Sequence, residues 1–132
     1  MAELKPGITG KAEDSVTEER TAASMGSGGL KVYATPRMTA MMEYTAWSSV
    51  EPFMEEGMGT VGTRLDISHV AASPVGSNIS YESELTEIDR RRLVFSVKAF
   101  DDAGLIGEGI HERFIIDNAK FMSRAESKLE SR

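Results

Sequence analysis

Three side chains in this sequence, Thr35, Glu43 and His69, combine the chemistry of a nucleophile, an orienting carboxylate and a base. A hydroxyl activated by an imidazole, which a carboxylate in turn orients, is an arrangement that proteins use for acyl transfer. The sequence contains no cysteine, which excludes thiolate catalysis, disulfides and zinc sites of the cysteine type. Whether the three residues act together depends on the elements that position them.

The histidine lies in a stretch, RLDISHVAASPVG (residues 64–76), in which apolar and polar side chains alternate. This alternation predicts a strand with one face formed by Val61, Thr63, Leu65, Ile67 and His69. An ionisable ring on an apolar face needs polar partners, because an unpaired polar group is costly to bury. A structural histidine whose nitrogens bond backbone groups is the common alternative to a catalytic one.

A long helix is predicted from Thr35 to about Met54. Thr35 suits the N-cap position and Pro36 the first helical position, whereas Pro52 predicts a kink or the end of the helix. Apolar side chains recur at three- and four-residue spacing along one face, namely at Met38, Met41, Met42, Ala46, Val50 and Phe53. This periodicity is typical of a helix that packs against a core.

Glu43 is the only charged residue between positions 38 and 50 of this helix, at the margin of the apolar face. A carboxylate there either points to solvent or finds a partner. The sheet face of His69 is expected to pack against the helix, so that Glu43 orients the imidazole and favours its charged form. Thr35 would add a hydroxyl at the helix N-terminus, where the helix dipole favours negative charge.

The remaining chain predicts an α+β fold in a single domain over residues 1–132. Strands are expected over residues 8–17, 61–69, 77–88, 92–100 and 105–117, with short turns between the last four. One helix across a curved antiparallel sheet buries the apolar faces of both. Residues 22–30 are expected to form a mobile loop, and residues 118–132 a polar helix or tail.

Composition restricts the function classes. The net charge of -6 argues against a nucleic-acid partner. No run approaches the roughly 18 apolar residues of a membrane span, and the N-terminus lacks a secretory signal, so we expect a cytoplasmic protein. The basic run Arg90–Arg92 fits either a solvated strand junction or a small anion site. His111 is as well explained by a structural role as by a functional one, and no spaced motif predicts a metal site.

Three stretches carry a resemblance to a known family: YATPRMTAMMEYTAW, GMGTVGTRLDISHVAASPVG and GEGIHERFII. They resemble the corresponding parts of the fluoroacetyl-CoA thioesterase family, within the hot-dog fold superfamily. The resemblance runs without gaps from about Tyr33 to Asp117. It implies a long helix wrapped by a curved antiparallel sheet of about five strands. It also implies a homodimer, with further pairing to a tetramer left open, and active sites at the subunit interface.

The resemblance also implies residue roles. Thr35, Glu43 and His69 match the catalytic threonine, glutamate and histidine of the family. Gly62 matches a glycine beside the thioester carbonyl, and Arg113 an arginine that contacts substrate, as His69 also does. The implied reaction is hydrolysis of a small or medium acyl-CoA to the free acid and CoA. No cofactor is expected, since CoA is part of the substrate.

One segment departs from the family. The fluoroacetate-specific enzyme builds an apolar lid with aromatic side chains before its threonine. Here the segment reads SMGSGGLKVYAT, with Met25, Leu30 and Tyr33 as its bulky apolar residues. We therefore expect general acyl-CoA hydrolysis rather than fluoroacetyl selectivity. A hot-dog enoyl-CoA hydratase or dehydratase and a non-catalytic acyl-CoA-binding module remain alternatives.

Overall fold

A computed structural model, which describes residues 3–130, shows a long helix packed across a five-stranded antiparallel sheet. The strands pair in the order β1-β3-β4-β5-β2, which makes β1 and β2 the two edges. Their bounds are β1 Thr9–Ser15, β2 Met58–His69, β3 Asn78–Asp89, β4 Arg92–Asp101 and β5 Gly104–Asp117. The helices are α1 Ala22–Met25, α2 Thr35–Val50 and α3 Asn118–Glu130. The predicted α+β fold is confirmed.

Helix α2 covers the inner face of the sheet with its apolar face. Met38, Met42, Ala46 and Val50 are fully buried. They belong to one core cluster with the inward side chains of β4, which are Leu93, Phe95, Val97 and Ala99. Burying each large side chain of this kind stabilises the fold by about 1.5–3 kcal/mol. Helix α2 lies mainly over β1 and β3 and makes fewer contacts with β4, β2 and β5.

The two ends of α2 test the sequence predictions. The N-cap residue is Ala34, and Thr35 is the first helical residue, so the predicted N-cap role of Thr35 is wrong by one position. The Thr35 hydroxyl bonds a side chain from β2 rather than the helix backbone. Pro36 accordingly occupies the second helical position. At the other end α2 stops at Val50 and Pro52 lies in a 3₁₀ turn, as the proline predicted.

A β-bulge in β2 changes which residues share a face. Gly62 pairs with Arg113 and Arg64 with Glu112, so that Thr63 is an extra residue. The alternation shifts there, because a bulge sets two residues of one strand against one of its neighbour. The prediction that Val61 shares a face with His69 is therefore wrong, since Val61 pairs with the outward Phe114. Leu65, Ile67 and His69 share the inner face, as predicted.

Of the two polar segments, residues 22–30 contain a short helix that the sequence did not predict, and the C-terminal segment forms a helix, one of its two predicted forms. Residues 22–30, expected to be a mobile loop, begin with α1, whose N-cap Thr21 accepts a hydrogen bond from the backbone of Ser24. Their mobility stays a prediction. The C-terminal segment forms α3, in which none of the described side chains is buried. Within residues 3–130, no helix is long and apolar enough to cross a bilayer.

Candidate active site

The Thr35 hydroxyl and the His69 ring meet where α2 begins and β2 ends. The distance from Oγ1 of Thr35 to Nδ1 of His69 is 2.8 Å. The second ring nitrogen, Nε2, is buried and has no hydrogen-bond partner among residues 3–130. A buried polar atom without a partner costs free energy, so each such atom calls for an explanation. His69 therefore uses Nδ1 for the hydrogen bond to the Thr35 hydroxyl, and its Nε2 is left without a partner among these residues.

Burial lowers the pKa of His69 below its ordinary value, and only an interaction with the backbone of Ala71 opposes this effect. The expectation that Glu43 favours the charged ring is thus not met within one chain. A lowered pKa keeps the imidazole neutral at neutral pH, because burial disfavours the charged form. A neutral imidazole is the form that accepts a proton as a general base.

A buried carboxylate, that of Asp14 on β1, holds the segment around Thr35. It accepts hydrogen bonds from the Tyr33 hydroxyl at 2.5 Å and from Arg37 Nε at 2.8 Å, and Arg20 donates to it as well. Burial alone would raise the pKa of Asp14, but the bonds from Arg37 and Tyr33 outweigh it and hold the pKa below its usual value. Since Tyr33 and Arg37 flank Thr35, Asp14 fixes the chain on both sides of the hydroxyl.

A second contact joins the segment before Thr35 to the loop after His69. Ser73 is fully buried, and its carbonyl accepts a hydrogen bond from the Tyr33 backbone at 2.8 Å. Its hydroxyl donates to Asp101 Oδ2 at 2.7 Å. Sequence reasoning missed both Asp14 and Ser73, because neither lies in a periodic pattern that reports a contact across the fold.

Glu43, Gly62, His111 and Arg113 form a second cluster between α2, β2 and β5. A Cβ atom at Gly62 would lie 2.8 Å from Oε2 of Glu43, 3.1 Å from Cε1 of His111 and 3.4 Å from Nη1 of Arg113. Position 62 must therefore lack a side chain if the carboxylate is to keep this place. This crowding gives a steric reason why position 62, which matches a glycine of the family motif, is a glycine in this chain.

The buried side chains of His111 and Arg113 are held by hydrogen bonds to Thr60, to Arg64 and to each other. Arg113 donates from Nε to the Thr60 hydroxyl at 2.8 Å, from Nη2 to the Thr60 carbonyl at 2.9 Å, and from Nη1 to Nε2 of His111 at 3.1 Å. Because a guanidinium only donates, His111 is neutral, with its proton on Nδ1 and directed to the Arg64 carbonyl. Burial lowers the pKa of His111, as the nearby guanidinium does too.

The carboxylate of Glu43 is half-buried and forms no hydrogen bond or ion pair with the described residues. Its charge nevertheless favours the charged form of Arg113, against the effect of burial, which lowers the pKa of that guanidinium. The structure thus places Glu43 beside Gly62 and Arg113. Among residues 3–130, the Glu43 carboxylate is thus a free acceptor beside a guanidinium that uses three of its five N–H groups.

The two clusters lie apart within one chain. Thr35 and Glu43 are eight residues apart on α2, which separates them by about 12 Å along the helix axis. Gly62 and His69 are separated along β2 by roughly 20 Å. The structure therefore brings Thr35 to His69 and Glu43 to Gly62 and Arg113. The predicted contact between Glu43 and His69 is not made within the chain.

The basic run at residues 90–92 behaves as a solvated strand junction. Arg92 forms ion pairs with Glu87 at 2.9 Å and with Glu112 at 3.3 Å. Arg90 is exposed beside Asp89. Within residues 3–130, no group of three or more acidic or histidine side chains is arranged to hold a metal ion.

A long helix wrapped by a curved five-stranded antiparallel sheet is the hot-dog fold, and the class of protein is that of the hot-dog thioesterases. A thioesterase superfamily member from Thermus thermophilus has a TM-score of 0.89 at 28% identity, with 100% of both chains covered. A mutant of a fluoroacetyl-CoA-specific thioesterase, solved with fluoroacetate and CoA, has a TM-score of 0.84 at 30% identity. That comparison covers 89% of this chain and 99% of the other.

Sequence comparison identifies the family within this class. The family model described as fluoroacetyl-CoA-specific thioesterase matches residues 16–119. The fluoroacetyl-CoA thioesterase of Streptantibioticus cattleyicolor is 36% identical over 98 residues, which is 74% of this chain and 70% of that protein. This chain belongs to the fluoroacetyl-CoA-specific thioesterase family, and it is a thioester hydrolase.

Proposed function

We propose that this protein hydrolyses small or medium acyl-CoA thioesters to the free acid and CoA, in a site shared by two copies of the chain. The hydrogen bond between Thr35 and His69, with Nε2 of the ring left without a partner, carries the proposal. A relative of this family has been solved with CoA and fluoroacetate, which supports CoA esters as the substrate class. Location in the cytoplasm remains an expectation.

The exposed edge strand β2 supports the proposal that two copies of the chain pair. It is 12 residues long, and Leu65 on its inner face is 41% exposed. A long edge with apolar side chains is a template for pairing with another strand. A two-fold axis close to Asp66 would pair Leu65 with the partner's Ile67, both on the inner face. The same register brings the partner's His69 beside the bulge at Gly62.

This pairing would complete both clusters. The free carboxylate of Glu43 in one copy would reach the partner's His69, which lacks a partner on Nε2. The separation of roughly 20 Å along β2 is then no obstacle, because antiparallel pairing sets the start of one strand against the end of the other. The catalytic set of Thr35, Glu43 and His69 remains as proposed from the sequence, with its members drawn from two chains.

In the proposed reaction, His69 takes a proton either from water or from the Thr35 hydroxyl, and the resulting oxygen nucleophile attacks the thioester carbonyl. Collapse of the tetrahedral intermediate breaks the carbon–sulfur bond and expels the CoA thiolate, which takes the proton from His69. With water as the nucleophile, this step yields the free acid. With Thr35 as the nucleophile, it leaves an acyl ester on Thr35, which a water molecule deprotonated by His69 then hydrolyses, releasing the acid and returning the proton to Thr35. Backbone N–H groups near Gly62 or at the N-terminus of α2 stabilise the oxyanion. Arg113 would assist from its place beside Gly62, as a substrate contact.

Release of CoA from short, branched, aromatic and long acyl thioesters tests the proposal. Wild-type protein should release CoA, and His69→Ala and Glu43→Ala should each lower kcat/KM at least about a hundredfold. Near-normal activity in both variants would contradict the assignment. An absorbance change with crotonyl-CoA but no CoA release would indicate a hydratase, and tight binding without turnover a binding module.

The shared site has its own test. When His69→Ala and Glu43→Ala chains are co-expressed, each mixed dimer contains one site with both native residues. Random association should therefore restore about a quarter of the wild-type activity. Mixing either variant with itself is the matched control. Restoration to no more than the level of the single variants would contradict a site drawn from two chains.

A further inference from the structure

Two arginines, Arg91 and Arg124, differ from the other arginines of residues 3–130, because their guanidiniums form neither an ion pair nor a hydrogen bond. Every other arginine in this range bonds a carboxylate or a threonine. In the basic run of the β3–β4 turn, ion pairs engage Arg90 and Arg92 and leave the charge of Arg91 free. In a chain whose net charge is -6, a free guanidinium does not reflect a surplus of basic residues.

Both free arginines line one cavity of about 220 Å³, the basic cleft, between the β3–β4 turn, the end of β5 and α3. Lys120 also lines it and has no ion pair with the described residues. The carboxylate in the lining is that of Asp117, whose Oδ1 accepts a hydrogen bond from the backbone N–H of Lys120 at 3.1 Å. With three cationic side chains and one carboxylate, the basic cleft is positive and attracts an anion that carries several charges.

Two phenylalanine rings, those of Phe114 and Phe121, also line the basic cleft. Each is 41% exposed, and no other phenylalanine in residues 3–130 is exposed to this degree. An exposed aromatic ring offers a stacking surface for a base, whereas a guanidinium binds phosphate oxygens through two parallel hydrogen bonds. Phe114 and Arg91 border an adjacent cavity of about 410 Å³ as well, which adds space at this end of β5. This combination is typical of a site for a nucleotide with several phosphates.

The basic cleft lies at the end of β5 that the proposed dimer sets beside the partner's active site. Phe114 follows Arg113, which pairs with Gly62, and the proposed register brings the partner's His69 beside Gly62. The cleft therefore begins one strand residue, about 3.4 Å, beyond that point. The opening of the active site is a groove of about 290 Å³ that Thr35 and His69 line. In the proposed dimer, the opening of one copy and the basic cleft of the other would be neighbours across the interface.

We propose that the basic cleft binds the phosphorylated adenosine end of a CoA ester whose thioester lies at the partner's active site. This inference rests on the proposed function and adds a binding subsite for its substrate. Arg91, Arg124 and Lys120 bind the phosphates, and Phe114 or Phe121 stacks on the adenine. The pantetheine arm of CoA spans the interface between the two sites. Because the nucleotide is remote from the reacting carbonyl, the cleft stabilises the bound substrate and the transition state equally, which lowers KM and leaves kcat unchanged.

The double variant Arg91→Glu/Arg124→Glu tests the basic cleft, and Lys98→Glu/Lys128→Glu is its control with the same change in net charge. Lys98 and Lys128 are exposed, have no ion pair within residues 3–130 and lie outside the cleft. The measured ratio is kcat/KM for the best acyl-CoA substrate divided by kcat/KM for the matching S-acylpantetheine, which lacks the nucleotide. This ratio should fall at least about thirtyfold in the cleft variant, through KM for the acyl-CoA, and less than about twofold in the control.

An equal ratio in the two double variants, or a fall that comes through kcat, would overturn the proposal. A defect in folding would lower both kcat/KM values alike, so the ratio separates nucleotide binding from structural damage. Should the cleft variant fail to fold, Arg124→Gln removes one charge at an exposed position and should lower the ratio by about three- to tenfold. An unchanged ratio in Arg124→Gln would then count against the cleft.

Binding of adenosine 3′,5′-bisphosphate, measured by calorimetry, gives a reading that needs no turnover. This nucleotide should bind the wild type and the control, lose at least about tenfold in affinity in the cleft variant, and compete with the acyl-CoA. Binding without competition would indicate a site for a free nucleotide and overturn the assignment to CoA. An unchanged Kd in the cleft variant would overturn the cleft itself. Absence of CoA release by the wild type would overturn the proposed function separately.

Discussion

The Thr35–His69 pair and the Glu43–Arg113 cluster use the same kinds of polar groups but bond them differently. In the first, the ring of His69 has one nitrogen on a hydroxyl and the other buried without a partner among the described residues. In the second, Arg113 and His111 are bonded to Thr60, to Arg64 and to each other. The Glu43 carboxylate lies beside them and forms no hydrogen bond or ion pair with the described residues.

This difference separates the two histidines of the chain by role. His111 is fully buried and neutral, and its bond to the Arg64 carbonyl secures the backbone next to the bulge in β2. His69 stands at the opening of the site, held by one hydroxyl. A saturated ring supports structure, whereas a ring with an unpaired nitrogen is available for proton transfer. Each cluster lacks what the other supplies, and in the proposed dimer a second copy would complete both.

Loss of the saturated histidine should have the largest effect on stability. His111→Ala leaves the Arg64 carbonyl and one Arg113 N–H unpaired in the core and opens a cavity, so we expect about 2–4 kcal/mol of destabilisation. His69→Ala should change the free energy of unfolding by less than about 1 kcal/mol, since it removes an unpaired buried atom. Urea denaturation of the two variants measures both values. Equal losses of unfolding free energy in the two variants would contradict the different roles of His111 and His69.

The hydrogen bonds that Asp14 accepts on both sides of Thr35 should make a smaller contribution to the free energy of unfolding, and this contribution should depend on pH. Asp14→Asn removes the charge that Arg37 and Tyr33 bind, and should cost about 1–3 kcal/mol at neutral pH. Because folding lowers the pKa of Asp14, its contribution is present above the unfolded value near 4 and is lost as pH falls through the folded value. The stability gap between wild type and variant should therefore close in acid. A gap that is constant from pH 7 to pH 3 would contradict the role of the charge.

The smallest effect tests the connection between the clusters. In the proposed dimer, the Glu43 carboxylate should favour the protonated form of the partner's His69, whereas burial lowers the pKa of that ring. Glu43→Gln should move the acid limb of the pH profile of kcat/KM to lower pH, by about one unit or less. The measurement is the pH profile of kcat/KM for the wild type and for the residual activity of Glu43→Gln. An unshifted limb would mean that the carboxylate does not reach the ring.

Much of the fold follows from local patterns. The three- and four-residue spacing of Met38, Met42 and Ala46 predicts α2, and Pro52 its end. Alternation predicts the strands to within a few residues. The errors lie where one residue changes the period: Thr63 adds a bulge that no propensity marks, and it moves Val61 to the outer face. Thr35 was expected to cap its own helix, but a partner distant in sequence takes its hydroxyl.

By itself the sequence determined the residue types of the site, the family to which the chain belongs, and the one helix and five strands that hold the site. It placed His69 on the inner face, because alternation is a local property of the chain. Only the tertiary structure decided which groups meet. It joined Thr35 to His69 through supports from Asp14 and Ser73, and it set Glu43 beside Arg113. Such contacts depend on strand order, a bulge and the reach of an edge strand, which couple residues far apart in the chain and leave no period in the sequence.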